Sequence, residues 1–390
     1  MNNKEEKACS CALSHIFGFE PRIALALITH FGSASEVFRA PGKTIEEMLG
    51  PHSKYQGRIS SEAVAEAKDE LEGLQRQGIV FLSCTEDCYP ALLKECDDFP
   101  VGIYIKSQTP EKELFCRKRF VSVVGTRDIS PYGTEWCENI VHALSKTKEK
   151  PVIVSGLALG TDICAQRTAI ECGLSTIGVM ATGPEQVYPS RHYQFAQKLI
   201  RTPGCALITD YPPGTAPLAV HFLRRNRIIA GMSEATILIE SKAKGGGMMT
   251  ASLAFSYDRA VYALPGRIDD QRSQGCNILI RNSTAEPIVD MDRFINALGL
   301  EPCTGSNIKG KTKALDLNAL YGSQIEDEEI DAMSRILMEI HRKRGITIEE
   351  ISECTGLRYS EVMKFAGILE ADGLICTDLL QRCTINKSFK

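Results

Sequence analysis

Val152-Ile153-Val154-Ser155-Gly156-Leu157-Ala158-Leu159-Gly160-Thr161-Asp162 reads as a short apolar strand, a glycine-marked turn and the start of a helix that apolar spacing carries to Cys172. The same order of elements recurs on both sides. Strands are predicted at Phe120 to Val124, Thr176 to Met180, Ala206 to Thr209, Ala235 to Glu240 and Ala260 to Ala263. Between them lie segments of helical length and pattern, at Tyr132 to Leu144, Arg191 to Ile200, Phe222 to Gly231 and Thr250 to Tyr257. Alternating strands and helices predict an α/β domain with a parallel sheet wound on both faces and ligands outside the carboxyl ends of the strands. The chemistry is therefore sought in the loops.

Upstream, Ile79-Val80-Phe81-Leu82 and Val101-Gly102-Ile103-Tyr104-Ile105 read as two further strands. The first 70 residues are helical in pattern, with short helices around Ile23 to Ile28 and Val37-Phe38 joined by Gly-containing turns. Such an order suits a small bundle of sterile-alpha-motif or helix-hairpin-helix type. Downstream of Leu300 the chain is polar and aperiodic. Then come an amphipathic helix at Glu328 to Lys343, a second from Ile348, a third at Ser360 to Ala371, and a strand at Ile375 that pairs with Gln381 to Ile385. Three helices and a two-stranded wing form a winged-helix order. The expected division is a helical domain over 1–75, an extended Rossmann-like domain over 76–300, a linker over 301–326 and a winged-helix-like domain over 327–390.

That last domain carries 12 Asp or Glu against 9 Lys or Arg, and its candidate recognition helix holds Glu361, Glu370 and Asp372 beside Lys364. Major-groove readers are normally basic there, so a protein contact or weak DNA binding is the expected role.

The 390 residues carry a net charge of -4, with 43% hydrophobic and 24% charged side chains, an ordinary composition for a soluble globular protein. No apolar run reaches the roughly 18 residues of a membrane span, and Met1 to Cys11 lacks a signal-peptide core. A cytoplasmic protein is expected. The 15 cysteines are spread from Cys9 to Cys383 with no Cys-x-x-Cys, so they are read as small core residues in a reducing compartment, without a metal.

Three loops carry the chemistry. Gly125-Thr126-Arg127 follows the first strand of the main domain, ahead of a Ser130-Pro131 helix start. Gly156 to Asp162 follows the second, and Gly245-Gly246-Gly247-Met248-Met249-Thr250 follows the strand at Ala235. Glycines let backbone approach a ligand, and the amides that open the next helix attract anions. A fourth element, His221-Phe222-Leu223-Arg224-Arg225-Asn226-Arg227-Ile228, packs three guanidiniums into four residues. Either they grip an anion, or they are a solvated helix start with one Arg in a core ion pair. Arg127 and Arg225 are expected at strand ends rather than in the core, so that alanine there spares the fold.

Gly305-Ser306-Asn307-Ile308-Lys309-Gly310-Lys311-Thr312 matches a P-loop pattern, but Glu301-Pro302-Cys303-Thr304 before it cannot supply the required strand. It is read as a chance match in a linker. The seven His are isolated, and no nucleophile elbow or paired acid assembles a hydrolytic site. The chain reads as a binder, not an enzyme.

Val123-Val124-Gly125-Thr126-Arg127 with Tyr132-Gly133, Ser155 to Asp162, Tyr188-Pro189, Arg225 to Gly231, Pro265-Gly266 and Gly275 to Ile280 resemble, in order and spacing, the DNA-processing protein A (DprA, or Smf) family. The resemblance implies a single-stranded DNA-binding protein of natural transformation and recombination. Such a protein protects incoming DNA, helps to load the RecA recombinase, dimerises through its Rossmann-like domain and needs no cofactor. Carried over by motif, Arg127, Gly156, Gly160, Arg224, Arg225, Asn226, Arg227, Gly245, Gly246, Gly247 and Thr250 are the implied DNA-binding residues. The chain departs from the family at Thr161, Gln166, Thr209-Asp210 and Leu223, and none of these removes an arginine.

Two alternatives come from other classes. One is a Rossmann-like nucleotide hydrolase of the lysine-decarboxylase-like type; its acid is missing after Gly247-Met248-Met249-Thr250. The other is a nucleotide-sensing transcriptional regulator that reads duplex DNA through the wing, against which the wing's acidic balance argues.

Overall fold

The structure is a computed structural model and describes residues 3–50, 52–116, 118–303, 317, 321, 327–343, 345–378 and 381–385. It divides into two compact units, one reaching to 308 and one from 309 onward.

The first unit is built on a nine-stranded sheet in the order β1-β2-β6-β5-β4-β3-β7-β8-β9. The strands are β1 (Ile79–Ser83), β2 (Gly102–Lys106), β3 (Phe120–Val124), β4 (Val152–Ser155), β5 (Thr176–Val179), β6 (Ala206–Thr209), β7 (Ala235–Leu238), β8 (Ala260–Ala263) and β9 (Glu286–Pro287). Neighbours from β6 to β9 are parallel. β2 joins β6 antiparallel, with Tyr104 opposite Thr209, and β1 closes that edge antiparallel to β2. The chain winds outward from β3 through β4, β5 and β6, then returns to the other side of β3 with β7. The order therefore reverses between β3 and β7, where a doubly wound sheet opens a crevice at its carboxyl edge.

The described helices of this unit are α1 (Asn3–Phe17), α2 (Pro21–Phe31), α3 (Ala34–Arg39), α4 (Gly42–Leu49), α5 (Ser61–Arg76), α6 (Ala91–Lys94), α7 (Glu111–Phe115), α8 (Pro131–Ser145), α9 (Thr161–Glu171), α10 (Tyr193–Arg201), α11 (Ala219–Met232), α12 (Gly246–Ser256), α13 (Gln274–Arg281) and α14 (Met291–Ala297). On one face of the sheet, Val121, Val123, Ile153 and Ile237 pack with Cys137, Ile140 and Leu144 of α8, Ala165 of α9 and Phe294 of α14. On the other, Val124, Val154 and Ile177 pack with Ile228 and Ile229 of α11 and Ala251 and Ala254 of α12. Burial on both faces is why these strands read as unbroken apolar runs.

Leu13, Phe17, Leu27 and Val37 of the N-terminal helices belong to the same apolar cluster as Val101 and Ile103 at the sheet edge. Polar contacts pin them: Glu6 accepts from the Ala34 and Ser35 amides at 2.8 and 2.9 Å, and the Ser83 and Ser10 hydroxyls meet at 2.9 Å.

Several boundaries differ from the sequence reading. α11 begins at Ala219, before the predicted Phe222, and α12 begins at Gly246 rather than Thr250, so two of the three consecutive glycines lie within its first turn. Strand β9 went unread because it is two residues long with both side chains exposed. The segment Glu301–Cys303 stays with the sheet: Cys303 N–H donates to Lys146 O at 2.9 Å, and Pro302 bridges Thr147. Most of the expected linker, including the Gly305 to Thr312 match, lies outside the described residues.

The second unit holds helices Asp327–Arg342, Ile348–Thr355 and Tyr359–Ala371, with a sheet in which Arg382–Ile385 lies between Ile346–Thr347 and Ile375–Thr377. The short Ile346–Thr347 strand adds a third member to the predicted two-stranded wing. Thr347 and Glu350 then cap the helix that follows by exchanging side-chain and backbone hydrogen bonds.

Candidate nucleic-acid interface

Three helices start at the carboxyl edge of the central strands, and their first turns differ. Ser130 caps α8, its hydroxyl accepting from Gly133 N–H at 3.0 Å, and the buried Glu240 carboxylate accepts from Ser130 N–H at 2.8 Å and from its hydroxyl at 2.5 Å. In the loop before α9, Asp162 accepts from the amides of Gly156 at 3.0 Å and Ala158 at 3.4 Å. α12 has neither device: Gly245 offers no side-chain cap and its first turn holds no acid. Its leading amides, at the positive end of the helix dipole, are the ones left for an anion.

The glycines of these loops bring backbone against backbone. Gly160 has φ +72, and a Cβ there would fall 2.3 Å from Thr126 O. A Cβ on Gly247 would meet Leu238 Cδ1 at 2.7 Å and Gly125 Cα at 3.2 Å. The first turn of α12 is thereby seated on the loop after β3, next to Arg127.

The arginine cluster is placed otherwise than the sequence reading expected. Arg225 is buried in α11; its Nη1 donates to Gly156 O at 2.7 Å and also to Val179 O. Burial pulls this guanidinium down to about 10, partly offset by Asp162 nearby, so it stays charged at neutral pH. Burial in turn pushes the Asp162 carboxyl above the usual aspartate range, against the opposing pull of Arg225 and the two loop amides. Arg227 is buried as well, paired with Asp210 and donating to Asp98 O at 2.5 Å. Arg224 lies across the Phe19 ring, 4.3 Å from its centroid, and donates to Gly18 O. α11 lies against the sheet, so carbonyls of the loop and strand ends and Asp210 take up a fork of donors that could otherwise grip an external anion. The core ion pair weighed as the alternative describes Arg227, although the helix start is not solvated there.

Asn226 is 9% exposed, and its side chain makes no hydrogen bond to the described residues. Thr250 is buried one turn into α12, its hydroxyl 3.4 Å from Gly246 O. A Cβ on Gly156 would come within 2.5 Å of Arg225 Nη1, so a side chain there would displace the guanidinium.

The exposed charges are elsewhere on the same edge. Arg127 is exposed, with no ion-pair partner among the described residues, and its guanidinium lies 5.2 Å from the Phe222 ring centroid. Phe222 in turn lies 5.3 Å from Tyr188, which is 45% exposed. Lys242 and Lys244 are exposed on the loop entering α12, also without ion pairs to described residues. Arg167 and Arg191 are exposed close enough to His192 to help depress its basicity, behind the larger effect of burial. The two lysines were legible, flanking Ala243 just ahead of the glycines; the Arg127-Phe222-Tyr188 cluster joins α11 to two loops distant in sequence and had no local signal.

Comparison with known proteins places this sheet and its loops in a family. The family model for DNA recombination-mediator protein A matches residues 80–299. A protein Smf of Synechocystis sp. is 32% identical over 76% of this chain and 74% of its own length. The DNA processing protein DprA of Streptococcus pneumoniae is 37% identical over 51% of this chain and 67% of its own. The X-ray structure of S. pneumoniae DprA superposes with a TM-score of 0.63 at 28% identity, covering 76% of this chain and 98% of that one. The chain belongs to the DNA recombination-mediator protein A family.

Proposed function

We propose that this protein binds single-stranded DNA along the carboxyl edge of its sheet, with phosphates at the α12 N-terminus and at Arg127, Lys242 and Lys244, and bases against the Phe222-Tyr188 platform. The observation that carries this reading is the coincidence of an uncapped helix start with unpaired exposed cations and a ring that one of those cations already covers. Charged grooves with stacking rings suit flexible single strands, whose bases are free to leave their neighbours; a duplex keeps its rings stacked inside. Gly156, Gly160, Arg225, Asn226, Arg227 and Thr250 then shape and hold the loops, and Arg224 ties α11 to the N-terminal helices.

The protein acts as a binder on this reading. The two buried carboxylates at the edge, Asp162 and Glu240, are spent on loop and helix-start donors, which leaves them poorly placed as proton carriers. Protection of incoming DNA, delivery of that DNA to the RecA recombinase, and pairing of two chains through the Rossmann-like unit in the cytoplasm complete the proposal. The second unit serves partner contact.

Equilibrium binding of labelled single-stranded and duplex oligonucleotides across a salt series tests it. The proposal expects a preference for the single strand, with log affinity falling by about 0.7 per log unit of salt for each phosphate neutralised. Equal or stronger duplex binding sinks it.

A further inference from the structure

Cys11 and His15 stand one turn apart on one face of α1. Glu70 of α5 and Tyr104 of β2 meet them there. Cys11 Sγ lies 3.8 Å from both His15 Nε2 and Glu70 Oε1, and those two atoms are 3.2 Å apart. The Tyr104 hydroxyl is 2.8 Å from His15 Nε2, 3.0 Å from Glu70 Oε1 and 3.5 Å from Cys11 Sγ. These six spacings are the edges of a slightly irregular tetrahedron. A point inside it lies about 2 Å from every vertex, which is the distance at which zinc holds nitrogen and oxygen, a little short of that for sulfur.

We propose that Cys11, His15 and Glu70 bind a zinc ion, with the Tyr104 hydroxyl at the fourth vertex. One sulfur, one imidazole and one carboxylate in tetrahedral array select a borderline-soft cation without geometric preference of its own. As the Zn–S bond forms, the Cys11 thiol gives up its proton to solvent. Cys11 and Tyr104 are buried, while the His15 and Glu70 side chains keep 31% and 25% of their exposure and leave a way in. The ion would staple α1 and α5 to strand β2 of the sheet, far in sequence from the proposed DNA edge and independent of it. Only Cys11 and His15 are neighbours in sequence, so no ligand spacing announced the site.

The test uses the full chain stripped of metal and titrated with zinc against a chromophoric chelator. One zinc per chain is expected, with a raised thermal midpoint. Cobalt in its place should give a near-ultraviolet thiolate charge-transfer band that Cys11→Ser abolishes. His15→Gln and Glu70→Gln, at the half-exposed rim, should fold as the parent does and weaken zinc by about tenfold or more. Cys172→Ala, which removes a partly exposed thiol 2.9 Å from His142 Nδ1, should leave the titration unchanged. No uptake by the parent chain at micromolar free zinc, or uptake undiminished in both rim variants, overturns the proposal and leaves a hydrogen-bonded cluster around Tyr104. Should Cys11→Ser fail to fold, the rim variants decide.

Discussion

Arg225 and Gly156 are fitted to each other: the guanidinium Nη1 donates to the Gly156 carbonyl at 2.7 Å, and a Cβ on Gly156 would come within 2.5 Å of that nitrogen. The arginine therefore fixes the loop between β4 and α9 from inside the fold. Gly156→Ala should cost roughly 1–3 kcal/mol as an overpacked site. Arg225→Ala strips two buried carbonyls of their donor and Asp162 of its cation, at a cost of roughly 2–4 kcal/mol. Urea unfolding of each variant checks this, and unchanged midpoints would return Arg225 to the surface role that its sequence context suggested.

His192 gives a pH signature. Its Nδ1 lies 2.9 Å from Leu157 O, and burial, more than the nearby arginines, lowers its pKa below the ordinary 6.5. The unfolded chain then binds this proton more readily than the folded one, so the contribution is present above 6.5 and is lost as pH falls through the depressed folded value. Stability measured from pH 7.5 down to 5 should decline more steeply for the parent than for His192→Asn. Parallel profiles would show that this ring does not couple to folding.

A fragment ending after Cys303 should keep single-stranded DNA affinity within about tenfold, or roughly 1.4 kcal/mol, of the full chain. The residues from Asp327 onward carry 12 acidic against 9 basic side chains, so removing them strips away no attractive field. The fragment must include Glu301–Cys303, which pair with the end of α8 and the residues after it. A larger loss at matched salt would draw the second unit into the binding surface.

Lys311→Ala should be silent in binding, and neither chain should turn over ATP. ATP hydrolysis that vanishes with this one lysine would give the Gly305 to Thr312 match a function after all.

Much of the α/β architecture was legible because parallel strands buried on both faces leave unbroken runs such as Phe120 to Val124, and some helix starts carry their own mark, as at Ser130-Pro131. Side-chain direction was not. Arg224, Arg225 and Arg227 look alike in sequence, yet the helical turn sends one to Gly18, one to Gly156 and one to Asp210. The glycine loops were found as sites of close approach, but what approaches Gly247 is Gly125 and what approaches Gly160 is Thr126. Contacts of this kind depend on pairings between distant strands, for which no local pattern exists.

The most direct measurement is the salt dependence of single-stranded DNA binding for the parent chain against Arg127→Ala combined with Lys242→Ala and Lys244→Ala. All three side chains are exposed, so the variant should keep the parent's thermal midpoint. If each cation holds one phosphate, affinity should fall by well over tenfold at low salt, and the slope of log affinity against log salt should flatten by about 2. Unchanged affinity and slope in a fully folded variant would contradict the placement of DNA on this edge.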